Sequence, residues 1–290
     1  MAILINENTQ ILIQGITGKS GALQAKVMKQ YGTKVVAGVT PGRGGQEVEG
    51  VPVYDLVSEA VRAHRIDAAI SFVPAVFAKD SCMEIFDVGI KFLVLTTEGI
   101  TDHDMVDIVA YARTKGARIL GPGTAGLISP GKSKAGAHPP RMYTEGRVGV
   151  ISKSGALSYE VGKNLTEAGI GQSTVLSVGG GPVWGMTQKD VVELFQADPE
   201  TEIIVLLGEI GGTMEEEAAE YITNHLNKPV VTMIVGRAAP VGKSLGHAGA
   251  IIEGNKGTAA AKLELLQKAG ARIASSPREI IQIIKEMRGE

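Results

Sequence analysis

Short runs of Ile, Val, Leu and Ala alternate along the whole chain with longer segments in which apolar residues recur every three or four positions. The runs read as strands covered on both faces, and the longer segments as helices laid against them. Their regular alternation predicts parallel βαβ units. Strands are expected at 11–13, 34–39, 68–73, 92–95 and 118–120, with helices near 22–31, 56–64, 78–88 and 103–114 between them. This makes a first, Rossmann-like domain over residues 1–125. From Gly121 to Gly146 the pattern lapses into glycines and prolines, including Pro139-Pro140, which exclude a long helix or a central strand. Residues 126–146 therefore read as a linker. Alternation resumes with strands at 148–151, 174–178, 203–207, 230–235 and 272–273 and helices near 156–168, 189–195, 215–226, 259–269 and 279–287, a second doubly wound α/β domain over 147–290.

Composition sharpens this picture at one point. Glycine supplies 38 of the 290 residues, against a usual share of roughly 7%, yet without the period of collagen and with only 12 prolines. The glycines cluster where strands end: 15–21, 42–45, 121–126, 179–185, 208–212 and 246–249. Ligands of open α/β sheets bind beyond those carboxyl ends, and a bare backbone lets amides approach them. Lys and Arg total 29 against 31 Asp and Glu, with no basic run, so nucleic acid is a poor partner. Neither a signal-like N-terminus nor an apolar stretch of spanning length is present, so no membrane association is expected. The one cysteine, Cys82, excludes a disulfide framework and a cysteine-based metal site, and a cytoplasmic location fits best. No metal site is expected.

Gly15-Ile16-Thr17-Gly18-Lys19-Ser20-Gly21 follows a strand and opens a helix, the context for a phosphate on a helix N-terminus. Its spacing departs from the dinucleotide fingerprint, and the second strand runs into Gly42-Arg43-Gly44-Gly45, which offers a cation in place of the ribose-binding carboxylate. A phosphorylated ribose fits, which leaves CoA or NADP; a turn that only packs helix on strand is the plainer alternative. Gly126 to Ser133 matches the P-loop by letter, but Gly136, Pro139 and Pro140 exclude the helix that must follow, and Gly242-Lys243-Ser244 lacks the upstream glycine, so the chain carries no ATP site of its own. His64, His103 and His225 fall on polar helical stretches, and His138 lies in the linker with no evident task. His247, in Gly246-His247-Ala248-Gly249-Ala250, is flanked by small residues; it is either a loop histidine without a task or a nucleophile. Glu209 ends an apolar strand at the ligand edge and can hold one imidazole nitrogen, while Ser154, Gly155 and Ala156 open a helix on that edge as an anion site. Together they suggest a phosphohistidine carrier.

The chain resembles the alpha subunits of succinate–CoA ligase over nearly its whole length. The motifs that carry this are Gln14-Gly15-Ile16-Thr17-Gly18, Gly38-Val39-Thr40-Pro41-Gly42-Arg43-Gly44-Gly45, Thr97-Glu98-Gly99-Ile100, Ser152-Lys153-Ser154-Gly155, Gly208-Glu209-Ile210-Gly211-Gly212 and Gly246-His247-Ala248-Gly249-Ala250. The resemblance implies a Rossmann-like CoA-binding domain followed by a flavodoxin-like doubly wound α/β domain. It implies CoA on Thr17, Gly18, Lys19, Ser20, Arg43, Thr96, Thr97 and Glu98, a phosphohistidine at His247 with Glu209 as partner, and Tyr159 against a small carboxylic acid. It also implies a beta subunit with an ATP-grasp domain, in a heterodimer or heterotetramer, holding ATP or GTP with Mg2+. Two loops depart from the family pattern: Gly121-Pro122-Gly123-Thr124-Ala125-Gly126 and Gly179-Gly180-Gly181-Pro182-Val183-Trp184-Gly185. They leave malate or citrate open beside succinate. An NADP-dependent oxidoreductase and a silent CoA-binding module are the readings from other classes.

Overall fold

In the computed structural model, which describes residues 2–237, 247 and 257–290, the alternation resolves into two seven-stranded sheets. The first domain runs β1 (Gln10–Gln14), α1 (Lys19–Gln30), β2 (Lys34–Val39), β3 (Glu47–Val48), β4 (Val51–Tyr54), α2 (Val57–Ala63), β5 (Ala68–Ser71), α3 (Ala78–Asp87), β6 (Phe92–Leu95), α4 (Asp102–Thr114) and β7 (Arg118–Leu120). The strand order is β3-β4-β2-β1-β5-β6-β7, and only β3 is antiparallel. Its parallel strands follow the dinucleotide-fold order, which reverses between β1 and β5 and opens a crevice beyond their carboxyl ends. The strands β5 and β6 are buried at every position, the reason their sequence is apolar without alternation. A Cβ at Gly21 would lie 2.2 Å from the Gly15 carbonyl oxygen, so α1 can close on the β1 loop only without a side chain there.

The second domain runs β8 (Gly126–Ser129), β9 (Ser133–Gly136), β10 (Glu145–Ser152), α5 (Gly155–Glu167), β11 (Gln172–Ser177), α6 (Gln188–Ala197), β12 (Ile203–Glu209), α7 (Met214–His225), β13 (Val230–Val235), α8 (Ala259–Lys268), β14 (Arg272–Ile273) and α9 (Pro277–Arg288). Its order is β14-β13-β12-β10-β11-β8-β9. The parallel strands β10 to β14 take the flavodoxin-like order and reverse between β10 and β12.

One expectation needs correction. The stretch 126–146, read as a linker, supplies the hairpin β8–β9, which joins the second sheet antiparallel to β11. Its glycines serve close pairing: a Cβ on Gly126 would meet the Ala135 carbonyl oxygen at 2.0 Å. The P-loop lookalike is this hairpin, and Lys132 in its turn is paired with Glu200.

An apolar cluster continues from Ile13, Ile70 and Leu120 of the first sheet through Leu127 to Ile151 and Leu206 of the second and Phe195 of α6. The hairpin also bonds the domains together, because the Thr33 hydroxyl donates to the Lys134 carbonyl at 3.0 Å and accepts from the Lys134 amide at 3.0 Å. Helix starts are locally encoded: Thr101, Ser154, Thr187, Thr258 and Ser276 each accept a bond from the amide three residues on. Each such cap contributes about 1 kcal/mol.

Candidate functional site

The reversal of strand order in the second sheet brings the ends of β10 and β12 side by side, with Ser152 opposite Leu207. The chain leaves β10 through Lys153, whose amide bonds Leu207, and enters α5 at Ser154; it leaves β12 at Glu209. His247 lies against this edge, its Nδ1 2.8 Å from Glu209 Oε2. Glu209 is buried, whereas 32% of the His247 side chain is open to solvent. The hydrogen bond to Glu209 raises the imidazole above its usual pKa, against the opposing effect of burial. A carboxylate on Nδ1 favours the tautomer with the proton there and the electron pair on Nε2. The ring rests on bare backbone: a Cβ on Gly180 would stand 2.6 Å from it. Beside it a cleft of about 560 Å³ is bounded by Glu98, Ile100 and Met105 from the first domain and by Pro122, Gly180 and Val183. The loops 121–126 and 179–185 thus meet at His247, tied together by the Gly185 amide on the Gly121 carbonyl at 3.0 Å. Gly246 and the segment 248–250, the rest of the expected histidine loop, lie outside the described residues.

Ser154 caps α5 by accepting from Leu157 at 3.4 Å, so Gly155 and Ala156 supply the first amides of that helix, which lack acceptors within it. Tyr159 stands one turn further on. Burial raises its hydroxyl pKa, and its ring meets His138 edge-on at 5.1 Å between centroids.

At the carboxyl edge of the first sheet, Gly18 caps α1, and Lys19 and Ser20 occupy its exposed first turn. The Thr17 amide reaches the Thr40 hydroxyl at 3.4 Å, which joins the β1 and β2 loops. Arg43 is exposed, and its amide and that of Gly44 both donate to Asp55 at 2.8 Å, a carboxylate anchor for the loop that the sequence did not signal. Thr96 and Thr97 donate their hydroxyls to the carbonyls of Ser71 and Val73, each at 2.7 Å, and Glu98 projects beyond them into the cleft. All eight residues expected to contact CoA therefore lie at one edge, on its loops and the first turn of α1, and the edge presents helix-start amides, a guanidinium and hydroxylated loops suited to a phosphorylated ligand.

Several buried polar side chains near the site escaped the sequence reading. His138 is fully buried, with Nδ1 2.8 Å from the Tyr143 hydroxyl and Nε2 3.1 Å from the Gly126 carbonyl, and burial pushes its pKa down to about 3. Behind Glu209 lies a set of buried charges: Lys153, Glu215 of α7 and Lys262 of α8. Only the placing of Lys153 directly after an apolar strand hinted at it. Among the described residues one cluster, His103, Asp104 and Asp107, has metal-like spacing; its histidine is exposed, its aspartates are half-buried, and Lys79 already bridges the two carboxylates at 3.3 and 2.5 Å.

Comparison with known proteins matches each edge to a described family. The profile for "CoA binding domain" covers residues 6–99, and that for "CoA-ligase" covers residues 151–272. The Archaeoglobus fulgidus protein named succinate–CoA ligase [ADP-forming] subunit alpha 1 is 52% identical over 288 residues, 99% of this chain and 98% of that one. The Aquifex aeolicus succinate–CoA ligase [ADP-forming] subunit alpha is 50% identical over 289 residues, 99% of this chain and 95% of its own length. The solved structure of ATP citrate lyase from Methanothrix soehngenii in complex with citrate and coenzyme A superposes with a TM-score of 0.86 at 24% identity, a likeness of fold. The match covers 99% of this chain and 52% of that one, so the chain spans about half the length of that structure.

Proposed function

The chain belongs to the succinate–CoA ligase alpha-subunit family, and on that premise we propose that it is the phosphohistidine-bearing subunit of a nucleoside-diphosphate-forming acid–CoA ligase. The observation that carries the reading is the His247 Nδ1 to Glu209 contact of 2.8 Å at the switch point of the second sheet. His247 Nε2 attacks the terminal phosphorus of the nucleotide; the bond from phosphorus to the bridging oxygen breaks, and the nucleoside diphosphate leaves. Glu209 meets the positive charge that appears on the ring. The phosphoryl group then passes from Nε2 to the carboxylate of the acid, giving an acyl phosphate and restoring the neutral imidazole. CoA, when bound, supplies the thiol that takes up the acyl group as phosphate is released.

Thr17, Gly18, Lys19, Ser20, Arg43, Thr96, Thr97 and Glu98 hold CoA in this reading. The amides at Gly155 and Ala156 receive the phosphoryl group, and Tyr159 faces the acid. Residues 1–125 thus serve the thiol ligand and 147–290 the phosphoryl chemistry. The nucleotide and its Mg2+ sit on a beta subunit with an ATP-grasp domain, in a heterodimer or heterotetramer in the cytoplasm; the ADP-forming names of the relatives favour ATP. Among the described residues no helix is long and apolar enough to cross a membrane. Succinate is the first choice of acid. Malate or citrate is the second, because Pro122, Gly123 and Gly180 to Val183, from the two divergent loops, line the cleft beside His247.

The test is incubation of the chain and its beta partner with γ-labelled ATP. An acid-labile, base-stable label on His247 supports the reading, and full ligase activity in His247→Ala sinks it.

A further inference from the structure

We propose that Lys153 is a positioning residue for the phosphoryl-transfer histidine: its buried ammonium holds the far oxygen of Glu209 and offsets that carboxylate's charge, so that the ring of His247 stays a nucleophile. The inference rests on the reading of His247 given above.

The geometry is unlike that of a structural lysine. Lys153 is 1% exposed, yet among the described residues its Nζ has no hydrogen-bond partner. It stands 3.7 Å from Glu209 Oε1 and 3.6 Å from Glu215 Oε1, with the ring of Trp184 at 5.4 Å. Lys262, equally buried, is bonded in the ordinary way, to the Gly211 carbonyl at 2.6 Å and to Glu215. An ammonium withdrawn from water without a bond is unfavourable, so a lysine needed only for folding would donate hydrogen bonds to a carboxylate and a carbonyl, as Lys262 does. Among the described residues, Lys153 instead stands between two carboxylates and is hydrogen-bonded to neither.

The carboxylates differ in freedom. Glu215 is anchored by Lys262 and by the Glu209 amide at 3.0 Å. Glu209 gives Oε2 to His247, while its Oε1 is buried and also lacks a hydrogen bond among the described residues. Lys153 therefore faces the carboxylate oxygen of Glu209 that the imidazole does not engage. A buried carboxylate with no cation behind it draws a proton onto the ring, and a protonated ring has no electron pair for phosphorus. With Lys153 in place the pull on the neutral ring is weakened. When Nε2 accepts the phosphoryl group and the ring becomes positive, Glu209 can turn its charge to the ring while Lys153 keeps Glu215.

Among the described residues, the charged groups facing His247 come from three elements: Glu209 at the end of β12, Lys153 after β10 and Glu98 after β6. Of these, the two carboxylates favour the protonated ring and Lys153 opposes it. Glu215, Glu216 and Lys262 lie behind, on α7 and α8.

The experiment follows the His247 imidazole by NMR titration of the full chain, with its signal assigned by loss in His247→Asn, alongside the pH profile of its phosphorylation by phosphoramidate. In that reaction the phosphorus–nitrogen bond of the reagent breaks, ammonia leaves and a bond from Nε2 to phosphorus forms. Lys153→Met should move both the midpoint and the acid limb upward by about one pH unit. Lys153→Arg, which keeps the charge, should leave them near the wild type. A folded Lys153→Met with an unmoved midpoint overturns the inference. Should that variant fail to fold, Lys153→Met/Glu215→Gln removes the charges as a pair, and the same upward shift is required of it. If wild-type His247 takes no label from phosphoramidate or from ATP with the beta partner, the phosphohistidine reading fails, while the titration still decides the role of Lys153.

Discussion

The carboxyl edges of the two sheets are built from opposite materials. On the first, Lys19, Arg43 and Glu98 are exposed, and the threonine hydroxyls turn back onto the carbonyls of neighbouring strands. On the second, Lys153, Glu209, Glu215 and Lys262 are all buried within a few ångströms of one another. An edge that holds a large, flexible, anionic ligand needs amides and solvated cations, each contributing little by itself. An edge that tunes a nucleophile needs charges in a low dielectric, where each acts strongly. Substitutions should therefore be mild and confined to affinity on the first edge, and severe and confined to chemistry on the second.

The largest effect is expected from His247→Asn, which should lower phosphoryl transfer at least about 10³-fold while leaving CoA affinity unchanged by calorimetry. Next comes Gly180→Ala. Its Cβ would lie 2.6 Å from the ring and must displace His247 from Glu209, costing about 10²-fold in phosphorylation rate, again with normal CoA binding. Arg43→Ala probes the other edge. It should weaken CoA about 10-fold, equal to about 1.4 kcal/mol, with a shallower salt dependence and an undisturbed phosphorylation rate. A matching loss of phosphorylation in Arg43→Ala would dissolve the contrast between the edges.

The smallest effect at neutral pH concerns neither edge. His138 is neutral when folded, because burial lowers its pKa from 6.5 to about 3. Between those values the unfolded chain binds the extra proton, so the stability this group contributes is complete above pH 6.5 and is lost as pH falls towards 3. The loss is at most about 5 kcal/mol at about 1.4 kcal/mol per pH unit. Denaturant midpoints across that range should show the slope in the wild type and a flatter one in His138→Gln.

The central strands were readable because strands buried on both faces leave an unbroken apolar run, as at β2, β6 and β13, whose limits match the expected ones. The strands β3 and β4 were missed because Pro52 interrupts a short pair at the sheet margin. The hairpin β8–β9 was taken for linker because glycines that allow two backbones to touch look, one residue at a time, like glycines that break structure. Glu209 could be anticipated from the end of an apolar strand. Lys153, Glu215 and Lys262 could not be grouped, since they come from three elements and only the fold makes them neighbours. For the same reason His138, whose partners are a tyrosine hydroxyl and a hairpin carbonyl, read as a loop residue without a task.

The division of labour between the edges is tested most directly by exchange of labelled phosphate between ADP and ATP, catalysed by the chain with its beta partner in the absence of CoA. This half-reaction needs the second edge alone. Arg43→Ala should exchange at the wild-type rate, and Glu209→Gln and His247→Asn should lose about 10²-fold or more. Wild-type exchange in His247→Asn, or a loss in Arg43→Ala as deep as that in Glu209→Gln, would contradict the account.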